Sequence, residues 1–312
     1  MTQWRFSPVQ PAAARNMASW TVSGGNKESA AYQIDVSWPL TWPGYDSVAQ
    51  ANAVYLVDGN ALFLTATEAL RRRASHQPLE TPTVVVAIGY QLTDSVFSLR
   101  RSYDLTPSCE KYTPPDGPDG KPKTEAHGGA DEFLTFITEV VRPFVETRTF
   151  PGVKFTRRAL FGHSYGGLFV LHTLFTRPDA FDVYLAASPS IWWNESFILT
   201  EAREFLGAVR SDALIRPVLR LCYGSREQYP VPGPGEPMEK FEKRKEAAAR
   251  RRMTENCIEL HLCLLESDKF SIIEMREYPG EDHGSVIAPA LTGALTFLSQ
   301  LALPSPNTST PK

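Results

Sequence analysis

Residues 159–168 read ALFGHSYGGL, a short apolar run, a serine flanked by glycines, and a second apolar run. Ser164 is at the centre of the only G-x-S-x-G motif in the chain. In this motif the serine occupies a sharp turn between a strand and a helix, and Gly162 and Gly166 allow neighbouring backbone segments to approach closely. The two apolar runs supply that strand and that helix. The motif therefore predicts that Ser164 is a nucleophile held at the end of a sheet strand.

Strand-like and helix-like segments alternate along the rest of the chain. Ala31 to Trp38 alternates in polarity and predicts an antiparallel edge strand. Short apolar runs, typical of parallel strands buried on both faces, occur at Val54 to Val57, Thr83 to Ile88, Ala159 to Phe161, Tyr184 to Ala187, Val218 to Tyr223 and Ile272 to Tyr278. Helical patterns occur at Ala61 to Ala74, Gly129 to Glu146, Leu168 to Thr176, Phe197 to Val209, Met238 to Leu265 and Ser285 to Ala302. With the serine motif, this order predicts an α/β-hydrolase fold: a mostly parallel, twisted central sheet with an antiparallel N-terminal edge and helices on both faces.

Composition and charge limit the kinds of partner that the protein is expected to bind. The 312 residues include 32 Lys and Arg against 35 Asp and Glu, a formal net charge of −3. This balance gives no field that would attract nucleic acid or an anionic membrane, so we expect neither as a partner. No stretch approaches the roughly 20 apolar residues that span a bilayer, and no signal peptide is evident, so we expect a cytoplasmic protein. We predict one domain over residues 1–303, in which residues 1–20 form a loosely ordered arm, and a disordered tail at 304–312. Oligomeric state is not predicted.

A serine hydroxyl becomes a good nucleophile only when a base accepts its proton, so a histidine must reach it in the fold. His283 is the best candidate of six, because Pro279 to Gly284 follow the last predicted strand and precede the last predicted helix. His163 adjoins the serine too closely to act as its base, although it could line the pocket. The others are not expected to act in catalysis: His76, His127, His172 and His261. His261 has i,i+4 spacing to Cys257, but without further ligands helix packing is a better interpretation than a metal site.

An acid should orient the histidine, and it should follow the penultimate strand in the chain order serine, acid, histidine. Glu227 is placed there; the alternatives are a Ser-His dyad or another acid such as Asp212. Ester hydrolysis also needs two N–H donors for the oxyanion. We expect one to be the backbone amide of Tyr165. The second is predicted to be the amide of Asn60, which follows a glycine turn after an early strand.

Seven strings occur in order between about residues 30 and 302: VYLVDGN at 54–60, AIGY at 87–90, RRSYDLTP at 100–107, GGADEFL at 128–134, FGHSYGG at 161–167, SPSIWW at 188–193 and DHG at 282–284. Together they resemble the esterase D-like hydrolases and, within them, the siderophore esterases that act on enterobactin, salmochelin, bacillibactin or fungal fusarinine-type compounds. The resemblance implies hydrolysis of ester bonds in a small-molecule siderophore, with iron arriving only as part of the substrate. No cofactor is expected.

The same resemblance suggests which residues contact the substrate. Arg100 and Arg101 could contact ligand oxygens, or they could be ordinary surface charge. Trp192 and Trp193 could form a flat apolar wall, or one or both could pack in the core. Some siderophore esterases resemble a Ser-His dyad, and the Pro/Gly segment from Pro114 to Lys123 departs from the family pattern near the expected pocket mouth. Two other functions remain open: a general carboxylesterase, feruloyl-type or thiol-ester hydrolase of the same fold, and a non-catalytic ligand-binding protein.

Overall fold

The computed structural model describes residues 15–23, 32–92, 94–115, 121–208 and 216–301. Several predictions concern residues outside these ranges. They are the first part of the N-terminal arm, the centre of the Pro/Gly segment, the tail at 304–312 and Asp212 as an alternative acid.

Eight strands in the described residues form one sheet, in the order β1-β2-β4-β3-β5-β6-β7-β8. Their bounds are β1 Met17–Val22, β2 Tyr32–Ser37, β3 Ala49–Leu56, β4 Thr83–Tyr90, β5 Val153–His163, β6 Val183–Ala187, β7 Val218–Gly224 and β8 Ile272–Tyr278. β2 is antiparallel to both β1 and β4, and all the other pairs are parallel. The predicted mostly parallel sheet with an antiparallel N-terminal end is thus confirmed.

The edge itself is a correction. The predicted edge strand corresponds to β2, which lies second in the sheet, and the edge is β1. β1 has no fully buried residue, since its residues alternate between half-buried and exposed. Its residues Ala18 to Val22 do alternate between apolar and polar, the pattern of a half-buried strand, so the sequence carried a signal for this strand that the prediction did not include.

Helices cover both faces of the sheet. Their bounds are α1 Gly59–His76, α2 Arg101–Asp104, α3 Ala130–Phe136, α4 Tyr165–Thr176, α5 Trp193–Ser196, α6 Ile198–Gly207, α7 Met238–Arg251, α8 Met253–Leu265 and α9 Ile287–Gln300. In the part of the chain that the structure describes, none of these helices combines the length and the apolar character needed to cross a membrane.

Two predicted helices differ from the observed ones. The segment Met238 to Leu265 is two helices, because Arg252 between them adopts a left-handed conformation with φ of 48°. The segment Gly129 to Glu146 begins as α3 and continues as two π-helical pieces, Ile137–Val141 and Phe144–Thr149. Pro143 lies between those pieces and has no amide hydrogen to donate, which accounts for an interruption of the regular helical hydrogen bonds there.

Alternate residues of the central strands face two separate cores. In β3, Val54 and Leu56 pack with α1 and α9 on one face, whereas Tyr55 packs on the other face with α4, α6 and α8. This alternation follows from the period of two of a strand. Both faces of β3 and β4 are therefore covered, which explains why their sequences are continuous apolar runs.

The parallel strands bring their carboxyl ends to one edge of the sheet. The loops that follow β3, β5, β6, β7 and β8 carry Asp58, Ser164, Ser188, Glu227 and His283, respectively. Side chains at this edge can meet although they are far apart in the chain. This edge is the place to look for a functional site.

Candidate active site

Ser164 is held in a strained turn between β5 and α4. Its φ is 60° and its ψ is −116°, a conformation that non-glycine residues rarely adopt. A Cβ atom on Gly162 would lie 2.2 Å from the carbonyl oxygen of Gly166, and one on Gly166 would lie 2.9 Å from Cγ2 of Val57. The turn therefore needs glycine at both positions. The helix begins directly after the serine, as the motif predicts.

A continuous chain of hydrogen bonds joins serine, histidine and carboxylate. His283 Nε2 lies 2.9 Å from Ser164 Oγ, and His283 Nδ1 lies 2.6 Å from Glu227 Oε2. A carboxylate accepts hydrogen bonds and donates none, so Nδ1 carries a hydrogen in this contact. In the neutral ring Nε2 then has a free lone pair directed at the serine hydroxyl. This is the tautomer that a general base needs.

The Glu227 carboxylate is fixed by two further donors. Its Oε1 accepts a hydrogen bond of 2.6 Å from the backbone amide of Gly224 and one of 2.5 Å from Ser188 Oγ. The side chain is only 1% exposed. Ser188 itself has a left-handed φ of 43°, and its amide donates to the carbonyl of Cys222 at 2.7 Å. Ser188 was not predicted from the sequence as a site residue, although it begins the SPSIWW string.

A second serine lies beside the first. Ser190 Oγ is 3.3 Å from Ser164 Oγ, and the Ser190 amide donates to the Ser164 carbonyl at 3.1 Å. Sequence reasoning did not assign Ser190 a role either. The signal available in the sequence was the pair of serines two residues apart in SPSIWW. In the structure the side chains of both have hydrogen-bond partners in the site.

The two predicted oxyanion donors begin adjacent helices. Asn60 is in the first turn of α1 and Tyr165 is the first residue of α4. Among the described residues, no backbone carbonyl accepts a hydrogen bond from either amide, as is usual for the first turn of a helix. The Asn60 side chain is bound twice to the backbone of Tyr90, with both contacts at 2.7 Å. A Cβ on Gly59 would lie 2.9 Å from the carbonyl carbon of Ile88, so this turn also requires glycine.

Arg101 lies at the site and forms an ion pair with Asp58. Its Nε and Nη2 donate to the two carboxylate oxygens at 2.8 and 2.7 Å, and the Asp58 side chain is buried. Burial alone would lower the pKa of Arg101, but the Asp58 carboxylate reverses the effect and raises it. The guanidinium carbon is 5.4 Å from the centre of the Tyr165 ring. Arg101 thus connects Asp58, at the start of α1, with Tyr165, which follows the nucleophile.

Arg100 belongs to a polar cluster with Asp104 and Tyr32. Its Nε is 3.2 Å from Asp104 Oδ2, and its guanidinium lies 4.2 Å from the centre of the Tyr32 ring. Tyr90 donates a hydrogen bond of 3.0 Å to the same carboxylate oxygen. These contacts connect α2 to the sheet. Arg100 is thus held beside the carboxyl end of β4, whereas Arg101 contacts Asp58 and the Tyr165 ring next to the nucleophile.

The other predicted substrate-binding residues, Trp192, Trp193 and His163, differ in how far they are buried. Trp193 is 1% exposed and packs in the core, so the prediction that it contacts a ligand is wrong. Trp192 is half-buried, and its ring centre is 6.3 Å from that of Tyr165. His163 is 5% exposed, and its ring centre lies 4.6 Å from that of His283. Burial, followed by the proximity of His283, holds the pKa of His163 well below its usual range, so it packs as a neutral ring.

Two further histidines, His172 and His261, lie on helices α4 and α8. His172 on α4 is buried and hydrogen-bonded through Nδ1 to both oxygens of Glu201 at 2.9 Å. His261 and Cys257 lie on α8, where Cys257 is fully buried in the core. Within the described ranges, no group of three or more His, Cys, Asp and Glu side chains could hold a metal ion.

The chain matches a known protein family over most of its length. The family model named Esterase, with the description "Putative esterase", matches residues 32–261. This chain belongs to that esterase family. The matched residues include Ser164 and Glu227 but end before His283, so the place of the histidine rests on its contacts.

Siderophore esterases are closely similar to this chain. The siderophore enterobactin esterase of Emericella nidulans is 65% identical over 304 residues, which cover 97% of this chain and 100% of that protein. The siderophore triacetylfusarinine C esterase of Aspergillus fumigatus is 43% identical over 276 residues, 87% of this chain and 90% of that protein. The solved structure of siderophore hydrolase EstA from Aspergillus nidulans superposes with a TM-score of 0.91 at 64% identity, covering 96% of this chain and 99% of that one. The predicted α/β-hydrolase fold and the resemblance to siderophore esterases are confirmed.

Proposed function

We propose that this chain is a serine esterase that hydrolyses ester bonds of a siderophore, with Ser164 as nucleophile, His283 as base and Glu227 as the orienting acid. The observation that carries this proposal is the unbroken hydrogen-bond chain from Glu227 Oε2 through His283 to Ser164 Oγ. Sequence identity of 65% to an enterobactin esterase and 43% to a triacetylfusarinine C esterase supports the substrate class. Iron enters only as part of the substrate.

The reaction follows from the contacts around the serine. His283 Nε2 accepts the proton as Ser164 Oγ attacks the ester carbonyl carbon, and the carbonyl oxygen becomes an oxyanion. The amides of Tyr165 and Asn60 donate to that oxygen, each contributing roughly 2.7–4 kcal/mol of barrier lowering. The protonated ring, stabilised by Glu227, then donates to the leaving alcohol oxygen, and the alcohol departs. Water, deprotonated by the same nitrogen, attacks the acyl carbon; the bond to Ser164 Oγ then breaks, the ring returns the proton to that oxygen, and the acid is released.

The test compares substrates on one enzyme. Ferric enterobactin, ferric triacetylfusarinine C, p-nitrophenyl acetate and a short thiol ester are each incubated with the purified chain, and products are identified by mass spectrometry. We expect a kcat/KM for at least one siderophore that exceeds those for the small esters by about tenfold or more. Equal or faster turnover of the small esters would instead support a general esterase.

Ser164→Ala serves as the control in the same assays. Hydrolysis of every substrate should fall by about 10⁶-fold in kcat, because Ser164 Oγ is the hydroxyl that His283 Nε2 contacts and can deprotonate. If ester loss were the same in this variant, the chain would be a binding protein or would act through a different residue.

A further inference from the structure

A second arginine lies close to the aromatic residues beside the nucleophile. The guanidinium carbon of Arg251, at the end of α7, is 5.0 Å from the centre of the Trp192 ring. The Trp192 ring in turn faces that of Tyr165, next to Ser164. Burial raises the pKa of the Tyr165 phenol to about 12, and the guanidinium groups of Arg101 and Arg251 act in the opposite direction. Arg101 thus contacts the Tyr165 ring, and Arg251 contacts the Trp192 ring beside it.

The two arginines differ in whether their charge is already neutralised. Arg101 forms a paired, two-point contact with the Asp58 carboxylate. Arg251 is exposed, and among the described residues no carboxylate lies within ion-pair distance of it. Its neighbour on the chain, Arg252, is paired with Glu255 at 2.7 Å. Arg251 thus presents an unneutralised cation beside an aromatic ring.

The position of Arg251 is set by the loop that carries the catalytic acid. The backbone amide of Glu255, in the first turn of α8, donates to Gln228 Oε1 at 3.1 Å. Gln228 directly follows Glu227 and is buried. Tyr229 OH also donates to Glu255 Oε1 at 3.1 Å. These contacts hold the junction of α7 and α8 against the acid loop, and Arg251 is in the last turn before that junction.

We propose that Arg251 and Trp192 form a subsite for an anionic, aromatic iron-binding group of the substrate, and that this subsite favours ferric catecholates over ferric hydroxamates. The inference rests on the proposed function and specifies its substrate class. Three doubly deprotonated catechols outweigh the charge of ferric ion, so the complex is an anion with flat aromatic rings. Three singly deprotonated hydroxamates balance that charge and give a neutral complex whose iron-binding groups have no aromatic rings. A guanidinium beside an indole face attracts the first kind of ligand and gains little from the second.

The test measures binding rather than turnover. Ser164→Ala is the background, so that the ligands are not consumed, and quenching of tryptophan fluorescence gives Kd for ferric enterobactin and for ferric triacetylfusarinine C. Arg251→Met should weaken binding of ferric enterobactin about tenfold and change that of ferric triacetylfusarinine C by less than about twofold. Arg251→Lys, which keeps the charge but not the planar group, should lose about threefold. Arg250→Met is the matched control, because Arg250 is an exposed neighbour on the same helix; it should leave both Kd values within about twofold.

The outcomes separate this inference from the proposed function. Equal weakening of both ligands by Arg251→Met, or an equal effect of Arg250→Met, would overturn the subsite. Hydrolysis of siderophores by the unmodified enzyme, with no selective effect of Arg251 on binding, would refute the subsite alone. Selective binding that depends on Arg251, without hydrolysis, would refute the proposed function alone. Failure to bind either complex would refute both.

Discussion

Replacement of Glu227 by glutamine tests the catalytic assignment most directly, because the structure fixes how the new amide must orient. The position of Oε1 receives two hydrogens, from the Gly224 amide and from Ser188 Oγ, so it must be occupied by an acceptor. The oxygen of the introduced amide therefore takes that position, and its NH₂ group faces His283 Nδ1. To avoid opposing hydrogens at 2.6 Å, the ring must move its hydrogen to Nε2. Nε2 then donates to Ser164 Oγ and can no longer accept its proton.

The unfavourable tautomer of His283 determines how far kcat should fall. The equivalent acid-to-amide change in a serine protease lowers kcat by about 10⁴, about 5.4 kcal/mol of barrier, and the same geometry here predicts a loss of about 10³ to 10⁴. Initial rates with p-nitrophenyl acetate and with ferric enterobactin measure it, with circular dichroism to verify folding. Glu277→Gln is the control, since Glu277 is an exposed carboxylate on β8 that accepts a 3.3 Å hydrogen bond from Tyr223. A loss of less than about tenfold in Glu227→Gln would refute the triad and favour a Ser-His dyad.

Two further predictions concern charged side chains. Burial alone would lower the pKa of His172, but the carboxylates of Asp131, 3.4 Å from Nε2, and of Glu201, bonded to Nδ1, raise it from 6.5 to about 9. Because the pKa is higher in the folded state than in the unfolded state, this stabilisation is complete below pH 6.5 and is lost as the pH rises through 9. The free energies of unfolding of wild type and His172→Gln, measured in urea, should therefore differ by about 3 kcal/mol less at pH 10 than at pH 6. A difference that does not change with pH would contradict the assignment. At the oxyanion turn, Arg101→Met should lower kcat about 100-fold by leaving a bare buried carboxylate, and adding Asp58→Asn should recover about tenfold. Strictly additive kinetic effects would mean that Arg101 acts on the substrate independently of Asp58.

Those parts of the fold that are encoded locally could be predicted from the sequence. The elbow is one in part, since Gly162 is required by a contact with Gly166, four residues along the chain, whereas Gly166 is required by Val57 from another loop. The break between α7 and α8 is the opposite case. Arginine is a good helix former, so Arg252 gives no local signal of a helix end. The first turn of α8 is instead satisfied by Gln228, whose side chain accepts the Glu255 amide from 27 positions away in the chain. Such a contact exists only after folding.

The candidate site divides in the same way. His283 and Glu227 were predicted because chain order and sheet topology together limit where a base and an acid can lie. The distinction between Trp192 and Trp193 was not available, because the sequence does not determine which of two adjacent indoles turns inward at a helix start. The role of Ser188 was hidden for a related reason: its importance comes from a single hydrogen bond to a carboxylate on another loop.

The arginines show why residue type alone is a weak guide to ligand contacts. A cation attracts an anionic substrate only to the extent that its charge is not already neutralised. Arg101 is close to the nucleophile, but Asp58 accepts both of its hydrogen bonds, so the pair presents little net charge and is better suited to hold the oxyanion turn. Arg251 lies in a helix of mixed charges whose sequence is typical of a solvated face, yet it is the guanidinium beside Trp192. The charge that a substrate meets at this site is therefore set by which arginine the carboxylates leave unpaired, and only the folded chain determines that.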